Sequence, residues 1–447
     1  MTLSATSFFE TLNQKILSHK AKIAIIGLGY VGLPLALTFH KQGFSVLAFD
    51  LDTSKITALK KGHSYIKNIS ESAVQSLSQS PNFEASSDPE ILKKADAILI
   101  CVPTPLTKNR EPDMSYVVST TDTIAKHLQK GQLIVLESTT YPGTTDELMR
   151  PLLEKTGLVM GRDFFLSYSP EREDPGNPNF ETASIPKVVG ADDPHSRDLS
   201  VTLYEQIVPK VISVSSARTA EAVKLTENIF RSANIALVNE LKVIYEKMGI
   251  NIWEVIDAAK TKPFGFMPFY PGPGLGGHCI PIDPFYLTWK AREYGVSTRF
   301  VELSGEINTS MPFYVVDRLR DELDKRFSKS LNGTRLLIMG MAYKKNVDDI
   351  RESPSLVIYD LLKSKGAEVD YHDPYILTVP TTREHPTVSG LESIPLTQKN
   401  LAAYDAVLIL TDHDSVDYKF LSEHSKLIID TRNALHFLKE ASHVAKA

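Results

Sequence analysis

Cysteine is nearly absent: the 447-residue chain holds two, Cys101 and Cys279. Two cannot make a disulfide framework in a chain of this length, and a reducing, cytoplasmic setting is expected. Long apolar runs are missing too. No stretch of about 18 uncharged apolar residues occurs, so no membrane span is expected. The N-terminal segment spaces Phe8, Phe9, Leu12, Ile16 and Leu17 as an amphipathic helix, without the continuous apolar core of a signal peptide. Neither sign of charge dominates: 49 Lys+Arg stand against 54 Asp+Glu, for a net −5. That balance provides no basic footprint for nucleic acid or an acidic membrane. At roughly 150 residues per domain, the length corresponds to about three domains, or two large ones.

What is present begins at Lys22. KIAIIG reads as a strand buried on both faces. It runs into Gly27-Leu28-Gly29-Tyr30-Val31-Gly32, then a helical stretch, then a second strand, FSVLAFD, ending at Asp50. The three glycines suit a tight turn, a close approach to a pyrophosphate, and a helix packed on its strand. A carboxylate at Asp50 is placed for the ribose hydroxyls of NAD and against the 2′-phosphate of NADP. Two further strands end in CVPTP and ESTTYPGTT. Pro103, Thr104, Ser138 and Thr139 thus fall at carboxyl strand ends, where open parallel sheets bind ligands. Cys101 is read as a small buried apolar residue at such an end.

From about Ser215 the pattern is helical. ARTAEAVKLTENIFRSANIALVNELKVIYEKMG has no proline, and no glycine before Gly249. It suggests a spine between two lobes and a dimer surface. Lys224 and Asn228 share one face of it, as solvated residues or, beside a cleft, as an oxyanion-binding pair. Lys262–Pro284 packs six prolines and five glycines among aromatics, is incompatible with regular structure, and carries Cys279. Beyond about residue 330 the opening theme returns. TRLLIMG, a helix capped by Ser353 and Pro354, AEVDYHDP, DAVLILTDH and KLIIDTRN form a second α/β unit with a degraded glycine motif. The expected fold is therefore α/β: two Rossmann-like, doubly wound lobes joined by a long central helix and a helical middle domain. The expected divisions are 1–212, 213–325 and 326–447.

A thiol in a glycine loop beside a hydride acceptor suggests oxidation at the aldehyde level, through a thiohemiacetal and a thioester. Asp283, four residues after Cys279, is placed to act as base or to orient water. His278 adjoins the thiol without needing to share its direction.

GLGYVG, CVPTP, ESTTYPGTT, SPERE, Lys224-x-x-x-Asn228, GGHCIPID and YKKNVDDIRESPS together resemble the UDP-glucose/GDP-mannose dehydrogenase family, in its order and along essentially the whole chain. EPDMSYV, SPEREDPGN and the proline-rich loop resemble the bacterial branch acting on UDP-N-acetylglucosamine more than the UDP-glucose branch. The resemblance implies a four-electron oxidation of the C6 alcohol of a UDP-sugar to a carboxylate, with two NAD reduced and no metal. It implies Cys279 as nucleophile, Lys224 and Asn228 as oxyanion stabilisers, and Asp283 with Lys224 for water activation. Glu171 matches the carboxylate of a Pro-Glu motif and Thr139 the threonine of a Ser-Thr motif. Many relatives carry a second carboxylate where this chain has Pro175; Glu173 substitutes or Glu171 works alone. The cofactor set carried over is Gly27, Gly29, Gly32, Asp50, Lys55 and Arg351, the last reaching the NAD pyrophosphate. The UDP-sugar set is Glu171, Arg172, Lys224, Asn228, the loop Tyr270–Gly276 (Tyr270, Gly272, Gly274, Gly276), Tyr343, Lys344 and Arg432. A homodimer or higher homo-oligomer through the central helix is expected. The competing readings are a two-electron hydroxyacid dehydrogenase and a non-catalytic NAD- or UDP-sugar-binding protein.

Overall fold

The computed structural model describes residues 5–67, 69–107, 109–172, 184–277, 280–382, 384–438 and 441–447, with side chains from Phe8 onward. Cys279, His278, Glu173 and Pro175 lie outside the described residues. Two compact units form: Met1–Glu227 with Phe285–Ser297, and Asn228–Pro284 with Thr298–Ala447.

The first unit is built on eight strands: β1 (Lys22–Ile26), β2 (Ser45–Phe49), β3 (Phe83–Ser86), β4 (Ala97–Ile100), β5 (Leu133–Leu136), β6 (Phe165–Tyr168), β7 (Lys187–Gly190) and β8 (Val211–Val214). Their order is β3-β2-β1-β4-β5-β6-β7-β8, parallel throughout except between β6 and β7. Side chains alternate across a strand, so a sheet covered on both faces needs apolar residues at every position. β1 supplies them: Ile23 and Ile25 enter one core, Ala24 and Ile26 the other. The N-terminal helix Ala5–Leu17 buries Leu12 and Ile16 in the first core, and Phe9 stacks on His195 at 4.8 Å. Leu17, expected on that apolar face, is instead 57% exposed, because at roughly 100° per residue it lies round the helix from the buried Leu12 and Ile16.

The second unit carries a five-stranded parallel sheet: β9 (Arg335–Met339), β10 (Glu368–His372), β11 (Ala406–Ile409), β12 (Ile428–Asp430) and β13 (Val444–Lys446), in the order β10-β9-β11-β12-β13. The central helix runs Ala217–Lys247, 31 residues, and the division between units falls within it. The expected α/β architecture of two parallel-sheet lobes and a helical middle region is thus present. Among the described residues, no helix is long and apolar enough to cross a membrane.

The two sheets repeat each other in detail. Gly27 and Gly340 both follow a first strand with φ of +88° and +89°, and their N–H groups donate to Phe49 O and His372 O, both at 2.9 Å. At the opposite end, Asp96 and Asp405 accept from the first residue of β1 and of β9, Lys22 N at 2.8 Å and Arg335 N at 3.0 Å. Each of those aspartates is met by a lysine from the preceding segment, Lys15 at 2.6 Å and Lys329 at 2.7 Å. Such correspondence follows from a shared strand–turn–helix–strand plan, and the echo between ADAILI and DAVLIL is its sequence trace.

In the second unit, the central helix also buries Lys242, whose Nζ meets no hydrogen-bond partner among the described residues and lies over the rings of Tyr314 (5.5 Å) and Trp253 (5.7 Å). Burial pulls its ammonium down to about 7. The unfolded chain keeps the ordinary value of 10.5, so between pH 7 and 10.5 it binds more protons than the fold. Stability contributed here should therefore rise with pH across that window. Lys242→Met should stabilise the protein at pH 7 by on the order of a few kcal/mol and flatten that rise. Chemical denaturation at pH 6.5, 8 and 9.5 checks both; a variant as pH-dependent as the parent would overturn the assignment.

Candidate active site

The glycine turn behaves as its spacing requires. Gly27 sits at positive φ, and a Cβ there would come within 2.6 Å of the Cys101 carbonyl oxygen. A Cβ on Gly32 would lie 1.9 Å from Gly27 O, so only glycine lets the helix Gly32–Lys41 start so close to β1. Gly29 is different: a Cβ there meets no protein atom within 4 Å. The room it leaves is a cavity of about 380 Å³ at the carboxyl ends of β1, β2 and β4, lined by Gly27, Gly29, Asp50, Lys55, Cys101 and Pro103 among others. A nucleotide pyrophosphate at a helix N-terminus fits that space. Leu28, Tyr30 and Val31 complete the turn, and Tyr65 donates to Leu28 O at 2.7 Å.

Asp50 accepts from Leu28 N (2.8 Å) and Asp52 N (2.9 Å), and Lys55 Nζ lies 3.1 Å away. The carboxylate is therefore pinned by the turn while still facing the cavity. The reading of Cys101 needs correction: it is half-buried, not buried, because it forms part of the cavity wall. The face Tyr116, Ser119, Thr120 and Thr123 of helix Ser115–His127 also lines the cavity. That face was missed, although its hydroxyls recur at helical spacing in SYVVSTTDT.

The other strand-end residues divide. Ser138 Oγ donates to Val102 O at 2.7 Å and Thr104 O accepts from Tyr286 at 2.8 Å, so both brace the loops. Thr139 is half-buried beside them in sequence. Glu221, buried on the central helix, takes Gly143 N (2.6 Å), Thr145 N (2.9 Å) and Thr145 Oγ1 (2.7 Å). It fastens the turn after Thr139, and burial pushes its carboxyl up to about 7.

Lys224 is 7% exposed, and its Nζ donates to Glu171 O at 2.6 Å. The solvated-face alternative for this lysine is thereby removed. Glu171 Oε1 accepts from Arg172 N at 2.6 Å, while the Arg172 guanidinium is held by Glu227 at 2.6 Å and Pro186 O at 2.7 Å. Glu171 Oε2 also lies 3.6 Å from Lys187 Nζ.

In the second unit, Asn228 (5% exposed) donates through Nδ2 to Asp283 Oδ2 (2% exposed). Asp283 opens the helix Asp283–Glu293, so the irregular stretch expected to reach Pro284 ends at Ile282. The glycine loop is shaped by what lies over it. A Cβ on Gly272 would strike the Arg432 guanidinium at 2.6 Å, and one on Gly276 would strike Tyr343 at 2.5 Å. Gly274 has φ of +140°, and Gly277 N donates to Arg351 O at 2.9 Å. Buried Asn239 of the central helix holds Gly272 N at 3.0 Å and is itself held to Asn308 at 3.0 Å. Tyr270 OH donates to Asp257 at 3.0 Å, Lys344 is half-buried, and the Arg351 guanidinium is gripped by Asp349 at 2.6 Å.

The second lobe has a counterpart to Asp50, but a spent one. Asp373 is fully buried and accepts from Met341 N, Ala342 N, Tyr375 N, Ile376 N and His413 Nε2. Burial alone would raise its carboxyl; His413 and the backbone N–H groups hold it below the ordinary range.

Known proteins agree with this geometry. Models of the UDP-glucose/GDP-mannose dehydrogenase family match in order: the NAD binding domain over residues 21–208, the central domain over 218–310 and the UDP binding domain over 337–437. A UDP-N-acetyl-D-glucosamine 6-dehydrogenase of Pseudomonas aeruginosa is 36% identical over 394 residues, 88% of this chain and 90% of that protein. A UDP-N-acetyl-D-mannosamine dehydrogenase of Pyrococcus horikoshii is 34% identical over 422 residues, 93% and 96%. The solved structure of a UDP-D-ManNAc dehydrogenase from Pyrococcus horikoshii superposes with a TM-score of 0.84 at 32% identity, covering 95% of this chain and 98% of that one. The chain belongs to the UDP-glucose/GDP-mannose dehydrogenase family, whose members are NAD-dependent nucleotide-sugar dehydrogenases.

With Asp50 facing the cavity, NAD should be strongly preferred over NADP. Asp50→Ala should narrow that preference by about ten-fold or more in kcat/KM. Equal kcat/KM for both cofactors in the parent protein would refute the role of the carboxylate.

Proposed function

We propose that this enzyme oxidises the C6 hydroxymethyl of UDP-N-acetyl-D-glucosamine to the uronate in two NAD-dependent steps. The observation that carries this reading is the burial of Lys224, Asn228 and Asp283, a cation, an amide and a carboxylate each less than a tenth exposed. Burying such groups is costly unless they act on one another or on a ligand. NAD, when bound, accepts a hydride at each of the two steps. In the first, Glu171 with Thr139 receives the alcohol proton as the carbonyl forms. The Cys279 thiolate then adds to the aldehyde carbon, and Lys224 and Asn228 stabilise the resulting oxyanion. Collapse of that thiohemiacetal with loss of the second hydride leaves a thioester on Cys279. Asp283 with Lys224 activates the water that cleaves it, releasing the carboxylate and regenerating the thiol. The UDP moiety is assigned to the glycine loop with Tyr343, Lys344 and Arg432, and Arg351 to the cofactor. The cofactor, catalytic and UDP-sugar roles divide at about residues 212 and 325.

The choice of sugar is supported by the Pseudomonas aeruginosa relative; UDP-ManNAc, UDP-GalNAc and UDP-glucose are the alternatives. Purified enzyme offered the four UDP-sugars should reduce about two NAD per sugar, fastest with UDP-N-acetylglucosamine. A ratio near one would sink the four-electron reading. Cys279→Ser should bind NAD and UDP-sugar in calorimetry yet form no uronate, and normal turnover by it would refute the covalent step.

We also propose a homodimer. Phe230, Leu237 and Ile244 recur every seven residues along the central helix, Met248 follows its last residue, and the four are 48%, 51%, 45% and 63% exposed. Apolar side chains in one helical row of this kind are suited to cover one another across a two-fold axis. Light scattering should give twice the 49.7 kDa chain mass, and Leu237→Glu with Ile244→Glu should give the monomer. A parent protein that is monomeric at micromolar concentration contradicts the assignment.

A further inference from the structure

A buried ion pair lies under the proposed proton acceptor and has no part in the scheme above. Glu137 follows β5 and is 1% exposed; Lys187 opens β7 and is 3% exposed. Lys187 Nζ donates to Glu137 Oε2, and Tyr204 OH donates to Glu137 Oε1. A buried pair of this kind is a poor source of stability, because desolvation consumes most of the attraction. Its geometry indicates another use. The same Nζ is 3.6 Å from Glu171 Oε2 and 3.4 Å from Pro170 O, the carbonyl just before Glu171. Glu171 N in turn donates to Glu137 O at 3.4 Å. One lysine is thus shared by two carboxylates, one sealed and one at the reaction centre.

We propose that Glu137 and Lys187 are positioning residues that set the basicity of Glu171, with Glu137 drawing off part of the Lys187 charge that Glu171 would otherwise feel. This rests on the reading of Glu171 as proton acceptor. Burial pushes the Glu137 carboxyl up and the Glu171 charge adds to the rise, while the Lys187 ammonium and the Tyr204 hydroxyl oppose it and favour the carboxylate. Burial opposes the charge on Lys187, yet Glu137 and Glu171 hold it above the ordinary lysine range, so it stays an ammonium. Burial and then the Glu137 charge keep the Tyr204 hydroxyl protonated, as a donor. Lys224 Nζ donates to the Glu171 carbonyl, and the Arg172 guanidinium is taken up by Glu227. Cys101 acts electrostatically on Lys187 and Tyr204. Lys187 Nζ lies within 4 Å of the Glu171 carboxylate.

The two halves of the pair then have opposite effects. Glu137→Gln leaves Lys187 wholly to Glu171 and should move the Glu171 titration to lower pH by about one unit. Glu137→Gln with Lys187→Met removes both charges and should move it to higher pH by a similar amount. The titration is read by 13C NMR on carboxyl-labelled glutamate, as the difference from the same background carrying Glu171→Gln, and needs no turnover. The acidic limb of the kcat/KM profile should follow the same directions. Should Glu137→Gln not fold, Tyr204→Phe strips a donor from Glu137, strengthens its claim on Lys187, and should shift the Glu171 titration upward. Shifts in opposite directions for the single and double variants support the proposal. An unmoved titration, or the same direction in both, overturns it even if the enzyme is active. Failure of every UDP-sugar to reduce NAD, with the opposite shifts present, overturns the assigned reaction and leaves the electrostatic coupling standing.

Discussion

A carboxylate at the end of a second strand takes the first backbone N–H past a glycine turn, and each lobe is arranged around that bond. Asp50 does this for Leu28 and Asp373 for Met341, both at 2.8 Å. The bond fixes where the turn closes, hence where the following helix begins. The missing side chain at Gly27 or Gly340 lets the turn pass over the neighbouring strand end, Cys101 or Thr411. Strand, turn and helix are thereby locked at one point, and the space above it is what remains for a ligand.

Much of this was legible. The glycine spacing, Asp50, the strand runs and the Ser353 cap are local features, and a local rule governs each: Ser353 accepts from Ser355 N, and its helix starts at Pro354. The same holds for the long helix, whose 31 residues match its uninterrupted run of helix formers. What escaped is non-local. Glu137, Lys187 and Tyr204 meet across 50 and 67 positions of sequence, and nothing in ESTT or PKVVG announces the partner. Asn239 reads as one more polar residue on a helix until Gly272 and Asn308 are found on either side of it. Leu17 failed for a local reason: it follows Ile16 by one residue, so it lies round the helix from the buried row of Leu12 and Ile16.

The polar interior divides by purpose. Glu221 and Asn239 spend their groups on backbone N–H, shaping the turn at Gly143–Thr145 and the loop at Gly272. Their contribution is pre-organisation: a loop rich in glycine and proline is held in one conformation before any ligand arrives. Lys224, Asn228 and Asp283 are instead engaged side chain to carbonyl or side chain to side chain: Lys224 donates to Glu171 O and Asn228 to Asp283.

The duplication has a consequence for how two nucleotides share one polypeptide. A lobe copied from a dinucleotide site would ordinarily retain affinity for the same ligand, and the enzyme would then be inhibited by its own cofactor. At Asp373 five donors already occupy the carboxylate. Asp50 accepts two backbone N–H groups and the half-buried Lys55, and still opens on its cavity. The two equivalent aspartates therefore differ in what they can still accept: one is spent on its own lobe, the other borders open space.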